Sequence, residues 1–359
     1  MARVFLTAPF NAPRILGHVC PTSVHLPGRL PGYTHGLGAD GVPWLVPDAD
    51  AAAPGTFVEL DQDAMSRLTH VAQVLGAPWR KIEEGEETLF VFAAEQRAPA
   101  PHPCAGDLVV LLEEAIPEIL SYRGRLSMPE IAARRQMILS RAASRLAART
   151  PVPCDVRSTR DPRDVEVHAV QTPHEGYFLT RQYSLSHAVF AGGMSEEIGR
   201  EVFVAADAAL VLPYDPVLDR LLLIEQFRMG PFGRGDPNPW VLEPVAGRVD
   251  PGETPEACAA RECIEEANLS LSGLEHISTH YCSPGCSTEV FHCFLGLCDL
   301  RARDGGFGGL EDEHEDIATH VLSFDRALAL TQSGEINVGP LLLMLLWLQR
   351  ERPRLRSVT

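Results

Sequence analysis

A chain of 359 residues is longer than one typical domain and points to two. Its formal net charge of -17 argues against broad binding to nucleic acid or to an anionic membrane, and its longest apolar run, Leu341 to Leu348, is too short to span a bilayer. Nine cysteines without paired Cys-x-x-Cys spacing fit neither a disulfide framework nor a zinc ribbon, so a reducing cytoplasm is the expected compartment.

Residues 1–122 read as a first unit of mixed α and β. No long apolar core marks its start, so no signal peptide is expected there. Arg3 to Thr7 forms an opening strand, Leu26 to Val46 is rich in Pro and Gly, and Thr88 to Ala93 is a further strand before the turn-rich segment 98–103. Residues 123–164 read as a basic helix and a linker. Between Ser127 and Arg149, Ile131, Ile138, Leu139, Ala142 and Leu146 recur at helical spacing, and Arg134, Arg135, Arg141, Arg145 and Arg149 line another face. Such a stripe can bind nucleic acid; in a chain this acidic it is expected to pack against acidic groups of its own protein or of a partner subunit. Thr150 to Arg163 is the linker.

Residues 165–359 form the second domain, dense in strand signals. Ala208 to Leu212 and Leu221 to Glu225 are apolar runs joined by a turn containing Pro213, Asp215 and Pro216, and Val290 to Leu297 continues the sheet. A last helix runs from about Gly339 to Arg350. Trp240 and Trp347 are expected in the core, and His280, His292 and His314 are too scattered to read as a metal-ligand set.

The segment from Gly247 to Leu269 carries the chemistry. Gly247 is followed after five residues by Glu253, after seven more by Arg261-Glu262, and then by Glu265-Glu266. Thr254 is a good N-cap, Pro255 a good first helical residue, and the alanines between them and Arg261 favour helix. Asn268 tolerates the left-handed backbone that ends a helix, and Cys263 can serve as a small buried hydrophobe. On that helix Glu262, Glu265 and Glu266 lie near one face and repel one another. A hard divalent cation with a preference for oxygen, such as Mg²⁺, neutralises such a group; the bland alternative is a solvated acidic face.

This pattern resembles the Nudix box, the metal-binding loop-helix-loop of a family of pyrophosphate hydrolases. The similarity extends from Gly176 to about Gln349, through GYFLTRQYSLSHAVFAGGMSEEIGREVF, LLLIEQFRMGPF, WVLEPVAGRVDPGETPE, YCSPGCSTE and LEDEHEDI, and is with the ADP-ribose pyrophosphatase subgroup. It implies an α/β/α sandwich with a mixed sheet, a cytoplasmic homodimer that exchanges N-terminal strands, and hydrolysis of ADP-ribose to AMP and ribose 5-phosphate with Mg²⁺, for which Mn²⁺ can substitute. By that resemblance the carbonyl of Ala246 and the carboxylates of Glu262 and Glu266 hold metal, with Glu265 a further ligand or water-organiser. Gly247, Glu253 and Arg261 shape the motif, Arg261 pairing with Glu253. Arg200, Arg228 and Glu289 meet the substrate, and arginine suits that work because its planar fork binds phosphate oxygens bidentately. Glu313 matches the catalytic glutamate of a Gly-rich loop, with Glu315 as its alternative.

The first unit looks like a γ-glutamylcyclotransferase-like domain, a smaller mixed α/β fold. That family's substrate loop is replaced by Thr7-Ala8-Pro9-Phe10, and its catalytic glutamate finds no match near Leu68 to Ala72. The unit is therefore expected to be inactive. Two other readings of the whole chain stand beside the first: hydrolysis of another nucleoside diphosphate sugar or a dinucleotide, and a sensor that binds ADP-ribose without cleaving it. The expected partner in every case is a small molecule, with no nucleic acid and no membrane.

Overall fold

The computed structural model describes residues 2–21, 25–37, 43–76, 79–84, 87–93, 105–310 and 315–357. The chain divides into two compact units, Met1–Arg157 and Ser158–Thr359. The sequence boundary at residue 122 therefore falls short, and the helical segment after it belongs to the first unit.

In the first unit, β1 (Ala2–Leu6), α1 (Pro13–Val19), β2 (His25–Leu37), β3 (Pro43–Leu60), α2 (Gln62–Val74), β4 (Trp79–Glu84) and β5 (Glu87–Phe92) precede α3 (Ala105–Ser121), α4 (Met128–Ala133) and α5 (Arg135–Ala147). The strands form one sheet in the order β2-β3-β1-β5-β4. The Pro- and Gly-rich stretch begins a long strand pair, β2 with β3, and the segment 98–103 expected to be turn-rich lies outside the described residues. Pro27 and Pro31 are tolerated because β2 is an edge strand, where a missing N–H costs no ladder bond. Along β1, Val4 and Leu6 enter a core shared with the helices, while Phe5 faces the other side of the sheet.

The basic stripe meets acid within its own unit. Arg141 and Glu118, both almost fully buried, pair at 2.5 Å, and the Tyr122 hydroxyl donates to the same carboxylate at 3.1 Å. Arg145 binds Glu114 at 2.7 Å, and Arg149 reaches Glu114 as well. The single helix expected over 127–149 is two, α4 and α5, meeting at Arg134; Ile131, Ile138 and Ala142 bury their face against α3 and its neighbours.

The second unit begins with β6 (Val165–Glu175), β7 (Leu179–His187) and β8 (Ile198–Val204), a separate antiparallel sheet. There follow β9 (Ala208–Asp215), β10 (Arg220–Phe227), α6 (Met229–Arg234), β11 (Trp240–Glu243), β12 (Val245–Arg248), α7 (Pro255–Ala267), β13 (Gly273–Tyr281), β14 (Val290–Leu297), β15 (Gly305–Gly308), β16 (Ile317–Ser323), α8 (Phe324–Ser333) and α9 (Gly339–Ser357). These strands make a mixed eight-stranded sheet, β13-β14-β9-β10-β16-β15, with β11 on β10 and β12 on β9; only the β14–β9 contact is parallel.

Residue alternation sends the two faces of this sheet to different layers. Leu221 and Leu223 of β10 join Leu210, Leu212 and Leu295 beneath α8 and α9, whereas Leu222 and Ile224 join Val211, Cys263 and Ala267 beneath α7. The result is an α/β/α sandwich. The turn between β9 and β10 is held by Asp215, whose Oδ1 accepts from the N–H groups of Val217 and Leu218 at 2.9 and 3.0 Å. Trp240 departs from expectation, being 56% exposed. Among the described residues, no helix is long and apolar enough to cross a membrane.

Candidate active site

The box helix α7 is built as its sequence requires. Thr254 is extended and accepts from the Ala257 N–H at 3.2 Å, Pro255 opens the first turn, and Asn268 closes the helix at φ 48°, ψ 41°. Cys263 is fully buried, as a small apolar residue would be.

One arginine organises the motif. Arg261 reaches both oxygens of Glu253 at 3.0 Å, Glu262 at 2.6 Å and Glu265 at 2.8 Å, and donates to the Arg248 carbonyl at 3.3 Å. Glu253 also accepts from the Asp250 N–H at 3.2 Å, so the loop is tied to its own helix. The pairing expected of Glu253 and Arg261 is present, and Glu262 and Glu265 are added to it.

Glu262 and Glu266 form the buried heart of the site. Burial pushes the Glu262 carboxyl up to about 7 despite Arg261, with Glu265 and Glu315 adding repulsion. Burial likewise pushes Glu266 up to about 8, opposed by the Ala246 N–H and by the charge of Arg228, and reinforced by Glu262 and Glu315. The Ala246 N–H donates to Glu266 at 2.9 Å. Gly247 is required for this packing: a Cβ there would lie 1.7 Å from Glu262 Oε1 and 1.9 Å from its Cδ. Two desolvated carboxylates that resist ionisation even beside Arg261 and Arg228 are a donor set that a hard divalent cation fits. Among the described residues, no three His, Cys, Asp or Glu side chains converge into a ready-made cage; Arg261 and the Ala246 amide bind the two carboxylates.

Gly308 and Gly309 bring the end of β15 against this helix. A Cβ on Gly308 would strike the Glu266 carbonyl at 1.7 Å, and the Gly309 N–H donates to the Glu265 carbonyl at 3.1 Å. Glu315 accepts from the Leu310 N–H at 3.3 Å, and its charge reaches both Glu262 and Glu266. Glu313 and His314 lie outside the described residues.

The other predicted residues are dispersed. Arg228 sits at the start of α6, bound to Glu243 at 2.5 Å, on the α7 side of the sheet. Glu243 had no sequence signal beyond its place just before the box. Arg200 is on β8 of the small sheet, exposed, donating to the Gly199 carbonyl at 2.8 Å. Glu289 follows the Ser283–Thr288 turn, its carbonyl accepting from the Cys282 N–H at 3.1 Å. His292 is no idle histidine: it bonds Asp207 at 3.0 Å, and the Asp207 carbonyl accepts from Val249 of the box loop at 3.0 Å. A cavity of about 520 Å³ lined by Glu225, Trp240, His320 and Arg326 is on the far face of the sheet from the box carboxylates, so it is not where this chemistry lies.

Residues 204–341 match the NUDIX domain model. The chain is 38% identical over 194 residues to an ADP-ribose pyrophosphatase of Escherichia coli K12, an alignment covering 54% of this chain and 92% of that protein. It is 33% identical over 169 residues to a GDP-mannose pyrophosphatase of Pectobacterium atrosepticum, covering 47% of this chain and 86% of that one. A solved ADP compounds hydrolase aligns with a TM-score of 0.42 at 19% identity, over 54% of this chain and 98% of that chain. Fold and site define a hydrolase that gathers acidic side chains on a single helix. The chain belongs to the Nudix family, and it is an enzyme.

Proposed function

We propose that the protein hydrolyses the pyrophosphate bond of ADP-ribose, giving AMP and ribose 5-phosphate. The observation that carries this reading is the 38% identity over 194 residues to an ADP-ribose pyrophosphatase, 92% of whose length is matched. The carboxylates of Glu262 and Glu266, with the Ala246 carbonyl and Glu265 at the rim, are the groups that would hold Mg²⁺ or Mn²⁺. Bound there, a divalent cation screens the charge of the pyrophosphate and acidifies water.

The side chains then divide the work. Arg261 fixes Glu262 and Glu265 and keeps the loop on its helix. Arg228, positioned by Glu243, offers its remaining guanidinium N–H groups to a phosphate or to the terminal ribose. Water adds to one phosphorus, the P–O bond to the other phosphate breaks, and the water's proton passes to a loop glutamate. Glu313 is the proposed base, and Glu315, already beside Glu262 and Glu266, is the alternative.

A homodimer accounts for the small sheet. Val167 and Val170 of β6 are half exposed, as is Phe178, and a second subunit would cover such a surface. It would also give the isolated Arg200 a site to serve. The first unit is proposed to be an inert γ-glutamylcyclotransferase-like domain. In support, Leu68, Val71 and Ala72 of α2 are fully buried apolar residues where that family needs a carboxylate. A cytoplasmic location follows from the cysteine usage.

The second reading, a GDP-mannose-type substrate, has its own support in the 33% identity to that enzyme. AMP release from ADP-ribose, measured beside GDP-mannose and other nucleoside diphosphate sugars, separates the two. ADP-ribose is expected to have the highest kcat/KM; a higher value for GDP-mannose overturns the substrate and leaves the chemistry.

A further inference from the structure

The amide of Gln226 is buried and, among the described residues, has no hydrogen-bond partner at Nε2. The residue is 8% exposed, near the end of β10. Alternation along that strand puts it on the same face as Leu222 and Ile224, which pack toward α7. Its cross-strand partner is Val241, and two residues further along β11, on the same face, stands Glu243, which holds Arg228. On the other side, β10 pairs with β16 through Glu225 and Ala318; the next residue of β16, Ile317, pairs with the Gly308 that lies against Glu266. Gln226 therefore sits on the floor of the site, between the Arg228–Glu243 pair and the end of the box helix.

Nothing in the packing asks for an amide here. Ile224, Val241 and Ile317 are buried hydrophobes, and a methionine has nearly the length and volume of glutamine. An unpartnered amide in such a place destabilises the free protein, because its N–H groups lost water without gaining a protein acceptor. None of the described residues supplies that acceptor, and a bound ligand is the group that would.

We infer that Gln226 is a substrate-positioning residue, whose Nε2 donates to a phosphate oxygen of the bound sugar nucleotide. This rests on the family reading and deepens it by adding a donor beside Arg228. A site built around such a donor discriminates against ligands that leave it unpaired. The same amide is a cost to the empty enzyme and a gain in the complex, so function and stability must move in opposite directions when it is removed.

The test uses the full chain and compares wild type, Gln226→Met and Gln226→Glu in thermal melts without ligand, in steady-state turnover of sugar nucleotides, and in calorimetry with AMP. Gln226→Met is expected to raise Tm by about 2–4 °C while kcat/KM falls roughly 10- to 100-fold. Much of that fall should appear in KM, with AMP binding weakened in parallel. Gln226→Glu, of the same shape but repelling phosphate, is expected to be worse than Gln226→Met in kcat/KM. The inference is overturned if Gln226→Met stays within about twofold of wild type in kcat/KM and in AMP affinity. It is overturned equally if Gln226→Met melts below wild type, or if Gln226→Glu outperforms Gln226→Met. Failure of the family reading looks different: wild type itself would then cleave no sugar nucleotide, and this inference would fall with it.

Discussion

Replacing Gly247 by alanine probes whether Glu262 is held where turnover needs it. The new Cβ would stand 1.7 Å from Oε1, 1.9 Å from Cδ and 2.5 Å from Cγ of Glu262. Reaching an ordinary contact of about 3.5 Å requires that carboxylate to retreat by nearly 2 Å. Such a move breaks its 2.6 Å bond to Arg261 and takes it away from Glu266. A misplacement of about 1 Å at a reacting centre can cost about 100-fold in rate. We therefore expect kcat/KM for ADP-ribose to fall at least 100-fold, about 2.7 kcal/mol of transition-state stabilisation. Strain of about 1–3 kcal/mol should lower Tm by several degrees without unfolding the domain. The assay is AMP release with Mg²⁺, alongside a melt and a Gly230→Ala control, whose added Cβ meets nothing within 4 Å. Turnover within threefold of wild type in a folded Gly247→Ala protein would show that the Glu262 position does not matter, and the site assignment would fail with it.

Glu266→Gln is expected to abolish turnover while the melt barely changes; retained activity would refute the metal assignment, as would full activity after exhaustive chelation without added Mg²⁺. In the first unit, Glu118→Ala leaves Arg141 buried without its partner and should cost about 3–5 kcal/mol, read by denaturant unfolding. A loss below 1 kcal/mol would mean that the pair is not buried as described. Asp219 gives a pH signature. Burial raises its pKa, but the hydrogen bonds from Arg352 and Tyr214 and the charges of Arg352 and Arg356 outweigh that and lower it. A lowered folded value means a contribution that is complete above the unfolded carboxylate range near pH 4 and lost as pH falls through the folded value. Wild type should therefore lose more stability than Asp219→Asn on acidification below about pH 4, Asn being suited to the φ of 58° at this position. Parallel acid melts would refute the assignment.

Sequence alone was sufficient where the information is local. The start, composition and end of α7 follow from Thr254, the alanines and Asn268, and the order of charges from Glu253 to Glu266 identifies the box, because a helix converts spacing directly into shared faces. Short apolar runs likewise marked β9, β10 and β14. The tertiary structure decided what depends on distant segments. Arg141 finds Glu118 only because α3 packs on α5, which is why the first unit runs to Arg157 and the helix could not be assigned to a linker. Pro27 and Pro31, in a stretch the sequence marks only as rich in Pro and Gly, are edge-strand residues because β2 has a neighbour on one side alone. Gly308 meets Glu266, Arg228 meets Glu243, and the Gln226 amide is left without an acceptor through strand pairings between residues far apart in the chain. Burial and register are properties of the assembled sheet, and one strand's sequence carries only its half of each pairing.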